Sequence, residues 1–248
     1  MKWLAALLTL MAGPLAAEDL IIATGGHYPP YIFAPGTPDA IGLDKDIVDE
    51  ICDRGGFTCT WVDLPMDNIF ERLAAGEVDI VTGGFGYSVE RDAIVDFTCP
   101  YVRSGEDSGD FIARTPEVDL VNARIGVLVG SLYESAMRKA NREVITYPTE
   151  EAALAALASG DIDVVFGSHN AWRQVQDTPG FFDVGDYPTF SGGSVLGVAE
   201  TAPELLTTLD DILADMSADG TLSRLQVQWL GEDQGDVIAQ CQNLDALT

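Results

Sequence analysis

Basic residues are scarce in this sequence. Its 248 residues include 13 Lys and Arg against 40 Asp and Glu, which gives a formal net charge of −27 at pH 7. Nucleic acids and anionic lipids are polyanions and repel a chain with this charge. We therefore expect no nucleic-acid partner, and we interpret the acidic residues as a solvated surface.

Histidine and cysteine are also rare, with two and four residues respectively. The cysteines show no C-x-x-C spacing, and the residue pattern of an EF-hand calcium loop is absent. The sequence therefore predicts no metal site, and we expect no cofactor.

A hydrophobic run of the roughly 20 residues that a membrane-spanning helix needs is missing. The first residues, "MKWLAALLTLMAGPLAAED", combine one Lys, a shorter apolar run and then small residues. This layout is typical of a secretory signal peptide, which we place at residues 1–17. We expect an exported protein, with an uncleaved membrane anchor as the alternative.

Four cysteines in an exported chain predict two disulfides. Cys52 and Cys59 are separated by a glycine pair that can turn the chain from a helix into a strand ("CDRGGFTC"), and we expect them to pair. Cys99 and Cys241 remain. If they pair, they tie the end of the chain to its middle.

Two segments of the chain repeat the same order of secondary structure. In the first, "LIIATGG", "LDKDIVDEICDRGG", "FTCTWVDL", "MDNIFERLAAG" and "VDIVTGG" have the periodicity of strand, helix, strand, helix and strand. The second has the same order in "RIGVLVG", "SLYESAMRKA", "EVITYP", "TEEAALAALASG" and "DIDVVFGS". Each segment predicts a sheet covered by helices, and two further helices follow near the end of the chain.

A twelve-residue stretch occurs twice within these segments, as "LAAGEVDIVTGG" (73–84) and "LASGDIDVVFGS" (157–168), with six identical positions. Ligands of open α/β sheets bind beyond the carboxyl ends of the strands, which is where both copies end. Our hypothesis is that each copy supplies one wall of a shared ligand cleft. The alternative is that both copies show the common pattern of a helix-to-strand connection.

Arg91 follows the first copy in "GGFGYSVERDAIVDFT", in a loop that leaves a strand end. An arginine there could bind a carboxylate through two parallel hydrogen bonds. It could equally be solvated, or paired with Glu90 or Asp92.

Two other strand-end loops carry candidate ligand contacts. Ser131 and Glu134 have capping-box spacing, which indicates either an ordinary helix cap or a helix N-terminus that attracts an anion. Tyr28 and Tyr31, next to His27, could stack on a ligand or close the rim of the domain.

The second copy is followed directly by Ser168, His169 and Asn170. Adjacent Ser and His residues seldom reach the geometry of nucleophilic catalysis, and no nucleophile-elbow motif is present. We therefore do not expect a hydrolase.

Taken together, "GLDKDIVDEIC", "GFGYSVERDAIVDFTCPY", "GVLVGS" and "LADMSADGTLSRLQVQWLG" resemble the periplasmic solute-binding proteins of the polar amino-acid type, solute-binding family 3. The resemblance implies the periplasmic binding protein type II fold, in which two Rossmann-like α/β lobes are joined by a two-strand hinge. It implies that residues 18–103 and 196–248 form lobe 1 and residues 104–195 form lobe 2. Cys99 and Cys241 would then form the second disulfide, within lobe 1.

The implied function is to capture a small carboxylate-bearing solute, an amino acid or a derivative, in a cleft between the lobes. The protein would be a non-catalytic periplasmic monomer that delivers the solute to an inner-membrane ABC permease. Ligand contacts are implied at Arg91, Tyr28, Ser131, Leu132, Met66, Gly84, Phe85, Gly86 and Ser168. Of these, Arg91 matches the arginine that binds the carboxylate, and Tyr28 matches the aromatic residue that packs on the ligand.

The sequence departs from the family pattern at two positions. Ser168 stands where amino-acid binders carry the acidic residue that pairs with the α-ammonium group, so either another acid, Asp44 or Asp67, replaces it or the ligand has no free ammonium. Gly25 stands where basic amino-acid binders have an acid, which disfavours a Lys, Arg or His ligand.

Two other functions remain open on the same scaffold. One is an enzyme similar to the periplasmic cyclohexadienyl dehydratases, whose substrate has no α-ammonium group. The other is an accessory protein that senses its ligand and presents it to a membrane partner other than a permease.

Overall fold

The computed structural model describes residues 18–103, 105–239 and 241, so the predicted signal peptide at 1–17 lies outside the described residues. The strands described are β1 (Asp19–Thr24), β2 (Thr58–Asp63), β3 (Ile80–Thr82), β4 (Asp96–Phe97), β5 (Gly105–Ala113), β6 (Ile125–Leu128), β7 (Val144–Tyr147), β8 (Val164–Gly167), β9 (Phe182–Ser191) and β10 (Gly197–Val198). The α-helices are α1 (Leu43–Gly55), α2 (Ile69–Ala74), α3 (Val89–Asp92), α4 (Leu132–Lys139), α5 (Glu150–Ser159), α6 (His169–Val175), α7 (Pro203–Ala218) and α8 (Thr221–Leu230).

These strands form two five-stranded sheets. The first has the order β2-β1-β3-β10-β4, with β1, β2 and β3 parallel and β10 antiparallel to both of its neighbours. The second has the order β7-β6-β8-β5-β9, with β6, β7 and β8 parallel and β5 antiparallel to β8 and β9. We call each sheet, with the helices that pack on it, a lobe. The predicted fold class is confirmed.

Helices cover both sheets, because each helix has an apolar side that it must bury. In lobe 1, α1 packs on β2 and on the two late helices α7 and α8, while α2 packs on β3 and β10. In lobe 2, α4 and α5 pack on β6 and β7, and α6 packs on β5 and β8. Lobe 1 is therefore completed by the end of the chain.

The chain passes between the lobes twice, once on entering β5 and once on leaving β9. The strands run side by side at this point, since Gly105 pairs with Ser191. Beyond β9, the Gly193 carbonyl accepts a hydrogen bond from the Tyr87 amide, so the chain contacts lobe 1 again before β10. We retain the division at 18–103, 104–195 and 196–248 as a proposal; Ser104, at its first boundary, lies outside the described residues.

The two copies of the repeated stretch fold alike. Gly76 and Gly160 follow the ends of α2 and α5 with φ angles of +71° and +85°, a conformation that glycine adopts without steric cost. Asp79 accepts a hydrogen bond from the backbone of Ile21 at 2.7 Å, and Asp163 accepts one from the backbone of Arg124 at 2.9 Å. Each aspartate thereby fixes the strand that enters the sheet beside its own.

Both expected disulfides are present. Cys52–Cys59 joins α1 to β2, and Cys99–Cys241 joins the segment after β4 to the end of the chain. The second bridge encloses a sequence separation of 142 residues against 7 for the first. A search of the described helices found none whose length and apolar character suit a membrane span.

Candidate ligand-binding site

A cavity lies between the lobes at the carboxyl ends of their strands. Its walls come from the loops that follow β1 and β3 in lobe 1 and from those that follow β6 and β7 in lobe 2. The cavity volume is about 150 Å³, and a protein cavity of this size holds a molecule as small as benzene. The position is the one expected for ligands of open α/β sheets, and the volume restricts the occupant to a small molecule.

Eight of the nine predicted ligand contacts line this cavity. They are Arg91, Tyr28, Ser131, Leu132, Met66, Gly84, Phe85 and Gly86. Tyr31 and His27 line it as well. Ser168 is the exception and is treated below. The structure thus brings the predicted residues together, although their role as ligand contacts remains a prediction.

Arg91 is buried in the cavity wall, with an exposed fraction of 8%. Its guanidinium lies over the rings of Phe70 and Phe85, at 5.1 and 5.4 Å from the ring centroids. Within the described part of the chain no carboxylate forms an ion pair with it. The neighbouring Glu90 pairs with Lys139 at 2.8 Å. Burial lowers the pKa of Arg91 to about 10, so the side chain is still a cation at neutral pH. A buried cation without a counter-ion favours an anionic occupant.

Arg91 also connects the two lobes. Its Nη1 donates to the carbonyl oxygen of Gly86 in lobe 1 at 2.8 Å, and its Nη2 donates to that of Gly130 in lobe 2 at 3.1 Å. The hydroxyl oxygens of Tyr28 and Tyr133, one from each lobe, lie 3.4 Å apart. The lobes are therefore closed around the cavity.

A buried carboxylate positions the glycine loop that follows β3. One oxygen of Asp44, at the start of α1, accepts hydrogen bonds from the Thr82 hydroxyl at 2.6 Å and from the amides of Gly83 and Gly84 at 2.7 Å each. Burial raises the pKa of Asp44, while these hydrogen bonds act in the opposite direction. Asp44 thus holds the loop from behind and does not line the cavity.

The same loop requires glycine at position 84. Gly84 has a φ of +68°, and a Cβ atom there would lie 2.8 Å from ring atoms of both Tyr28 and Tyr31. We expect Gly84→Ala to lower the free energy of unfolding by about 2–4 kcal/mol, from backbone strain plus displacement of the two rings, and to weaken ligand binding. Urea unfolding and calorimetric titration measure the two effects.

Gly76→Ala is the matched control, because Gly76 has a φ of +71° and open space around its Cβ position. It should lower stability by only about 1–2 kcal/mol and leave ligand affinity unchanged. Equal effects of the two substitutions would contradict the packing of the tyrosines on Gly84.

Ser131 begins α4 as its N-cap. Its hydroxyl accepts from the Glu134 amide at 3.1 Å and donates to the Leu128 carbonyl at 2.7 Å. The Glu134 carboxylate accepts from the Gly130 amide at 2.8 Å, so both residues serve the helix start. Because Leu132 and Tyr133 line the cavity too, the N-terminal end of α4 faces the site and favours a negative charge there.

The position of Met66 explains why residue 25 has no side chain. A Cβ atom on Gly25 would collide with the sulphur of Met66, and both residues line the cavity. The thioether therefore occupies the volume into which an acidic side chain at position 25 would project. This end of the cavity is apolar.

Ser168 lies beside the cavity and does not line it. Its hydroxyl caps α6 and also donates to one oxygen of Glu150 at 2.9 Å, while its amide donates to the other oxygen at 3.0 Å. The neighbouring His169 contacts Asp110 through Nδ1 at 2.8 Å. The Ser168 hydroxyl directs its hydrogen bond to Glu150 and not to a histidine, which is not the arrangement of a nucleophile activated by a histidine base.

Asp44 and Asp67, the two acids expected to take over the role of an acidic residue at position 168, also lie outside the cavity wall. Asp67 is exposed and Asp44 holds the glycine loop, and neither lines the cavity. The buried acid that does line it is Glu150, which sequence reasoning missed. It lies three residues beyond the end of β7, at the carboxyl edge of the sheet, but the sequence does not distinguish it from the exposed Glu151 beside it.

A cavity for one small molecule, enclosed between two α/β lobes and carrying a buried cation, defines a two-lobed solute-binding protein. Residues 20–232 match the sequence profile of the bacterial extracellular solute-binding proteins, family 3. The chain belongs to this family.

Individual relatives agree with this assignment. The chain is 29% identical over 238 residues to ABC transporter arginine-binding protein 1 of Escherichia coli K12, covering 91% of this chain and 97% of that protein. It is 24% identical to the histidine-binding periplasmic protein of the same strain, covering 87% and 89%.

Among solved structures, a periplasmic His/Glu/Gln/Arg/opine family-binding protein from Silicibacter pomeroyi, in complex with lysine, is similar with a TM-score of 0.75. It is 28% identical, and the match covers 86% of this chain and 98% of that one. The predicted family, the type II periplasmic binding protein fold and the function as a solute-binding receptor are confirmed.

Proposed function

We propose that the protein captures a small carboxylate-bearing solute in the periplasm and delivers it to an inner-membrane ABC permease. The observation that carries the proposal is the buried guanidinium of Arg91 in the wall of the interlobe cavity, which forms no ion pair with any residue that the structure describes. An anionic ligand would compensate this charge, and a carboxylate matches the two parallel donors of a guanidinium. Residues 1–17 would direct export, and the protein would act as a monomer.

Relatives support delivery to a permease and an amino-acid-like ligand. Their names describe an arginine-binding protein of an ABC transporter and a periplasmic histidine-binding protein, and one structure is a complex with lysine. The Gly25–Met66 contact argues against a ligand with a basic side chain. Met66 fills the space that an acidic side chain at position 25 would need in order to pair with such a ligand.

The proposal predicts a specific pattern of thermal stabilisation. Protein that has been unfolded and refolded to remove ligand is titrated with amino acids, with their deaminated acids and with matching amines that lack a carboxylate. Members of the first two sets that bind should raise the melting temperature, because ligand at 100 times its dissociation constant adds about 2.7 kcal/mol. Stabilisation by amines alone would refute the proposal.

Prephenate belongs in the same panel, because the enzyme hypothesis requires a dehydratase substrate. A receptor leaves prephenate unchanged, whereas a cyclohexadienyl dehydratase converts it to phenylpyruvate, which is followed by its absorbance. The relatives named above are binding proteins, which supports the receptor.

A further inference from the structure

Two buried side chains of opposite charge line the cavity without pairing. Arg91 belongs to lobe 1 and Glu150 to lobe 2, and each has an exposed fraction of 8%. As with Arg91, the described residues provide no ion-pair partner for Glu150, and the two do not pair with each other. Unpaired buried charges are unfavourable, so the two walls are complementary to a ligand that carries both signs.

Glu150 is fixed in place by neutral donors. The amide and hydroxyl of Ser168 each donate to a different oxygen of its carboxylate, at 3.0 and 2.9 Å. A carboxylate has about four acceptor positions, so these two bonds leave acceptor capacity for a ligand donor. Glu150 is also the first residue of α5, where the helix dipole favours a negative charge.

These contacts place the carboxylate of Glu150 beside the carboxyl end of β8. Ser168 lies at the end of the second copy of the repeated stretch, and both its amide and its hydroxyl contact Glu150. The carboxylate itself belongs to the first turn of α5. It lies at the lobe 2 wall of the same cavity.

We propose that Glu150 binds a cationic nitrogen of the ligand, so that the solute is a zwitterion held by Arg91 through its carboxylate and by Glu150 through its ammonium group. The inference rests on the proposed function, which by itself requires only the carboxylate. It assigns the ammonium site to a residue on α5 and selects amino acids over their deaminated acids.

The test compares binding of paired probes by calorimetry. The pairs are L-arginine with δ-guanidinovaleric acid, L-glutamine with glutaramic acid, and L-phenylalanine with hydrocinnamic acid. For a pair that binds, the wild type should prefer the amino acid by about 10- to 100-fold, the range expected for a hydrogen bond to a charged group.

Glu150→Gln keeps the shape of the side chain and an oxygen that can accept from the Ser168 amide, but removes the charge. It should abolish the preference by weakening amino-acid binding, with little change for the deaminated acid. Glu143→Gln is the matched control, because Glu143 is an exposed glutamate of the same lobe that does not line the cavity. It should leave the preference intact.

The double variant Glu150→Gln/Ser168→Asp supplies a positive test. Aspartate is a good N-cap, so α6 is retained, and a carboxylate is supplied at position 168, beside the cavity and next to residue 150. The preference for the amino acid should be restored, an outcome that a purely structural role of Glu150 would not produce.

The assignment of Glu150 is overturned if the wild type binds both members of every pair equally, or if Glu150→Gln keeps the preference for the amino acid. In either case the proposed function stands. If no carboxylate-bearing probe binds the wild type, the proposed function fails and the assignment fails with it. Thermal unfolding without ligand checks that each variant is folded before its affinities are compared.

Discussion

Replacing Arg91 with methionine should weaken binding of the carboxylate-bearing solute by about 200- to 5,000-fold, because breaking a buried ion pair costs roughly 3–5 kcal/mol. Methionine retains an apolar stem against Phe70 and Phe85 and removes the cation. Titration calorimetry with an amino acid and with its deaminated acid measures the loss. Both should lose affinity to a similar extent, because both carry the carboxylate.

The stability of the ligand-free protein should respond differently. The guanidinium is buried without a carboxylate partner in the described structure, so its removal relieves a desolvation cost and offsets the loss of its bonds to Gly86 and Gly130. We expect the free energy of unfolding of Arg91→Met to stay near that of the wild type. Loss of binding without loss of stability is the pattern of a ligand-binding residue.

Arg72→Met is the matched control for this substitution. Arg72 lies on α2 in the same lobe and pairs with Glu77 at the surface, an interaction worth about 0.2–1 kcal/mol. Its replacement should leave the affinity unchanged. If Arg91→Met binds as tightly as Arg72→Met, the role assigned to Arg91 is wrong.

Replacing both Cys99 and Cys241 with serine should lower the free energy of unfolding by about 3–5 kcal/mol, because the bridge closes a loop of more than a hundred residues in the unfolded chain. For a chain of this length the melting temperature should fall by roughly 10 °C. Neither cysteine lines the cavity, so ligand affinity should remain unchanged. Thermal unfolding and calorimetry test the two expectations.

The Cys52–Cys59 pair supplies the comparison. Its sequence separation is only 7, so the same replacement there should cost about 2 kcal/mol. The ratio of the two effects tests whether loop length governs the stabilisation. A larger loss from the short loop than from the long one would show that loop length does not.

Most of the fold follows from local patterns. Apolar periodicity and glycine stops predicted the β-α-β-α-β order of each lobe, because helix and strand have different repeat lengths along the chain. Gly76 and Gly160 both follow helix ends, as the repeated stretch indicated. The cavity position followed from the same order, since parallel strands bring their carboxyl ends to one edge.

The acids of the site could not be assigned in this way. Asp44 and Glu150 both stand in the first turn of a helix, where acidic residues are common because they favour the helix dipole. The sequence pattern is therefore the same whether such a carboxylate faces solvent or the interior. Here both are buried, and only the packing of the sheets shows which loop each one contacts.

The strand order of lobe 1 also constrains when each lobe can form during synthesis. Strand β4 joins its sheet through β10, which pairs with both β3 and β4 and lies after the whole of lobe 2 in the chain. Lobe 2 runs without interruption from β5 to β9, so all its strands leave the ribosome before residue 197. The lobe that begins the chain is thus the last that can be completed, and a nascent chain stopped between β9 and β10 would present an intact second lobe beside an unfinished first one.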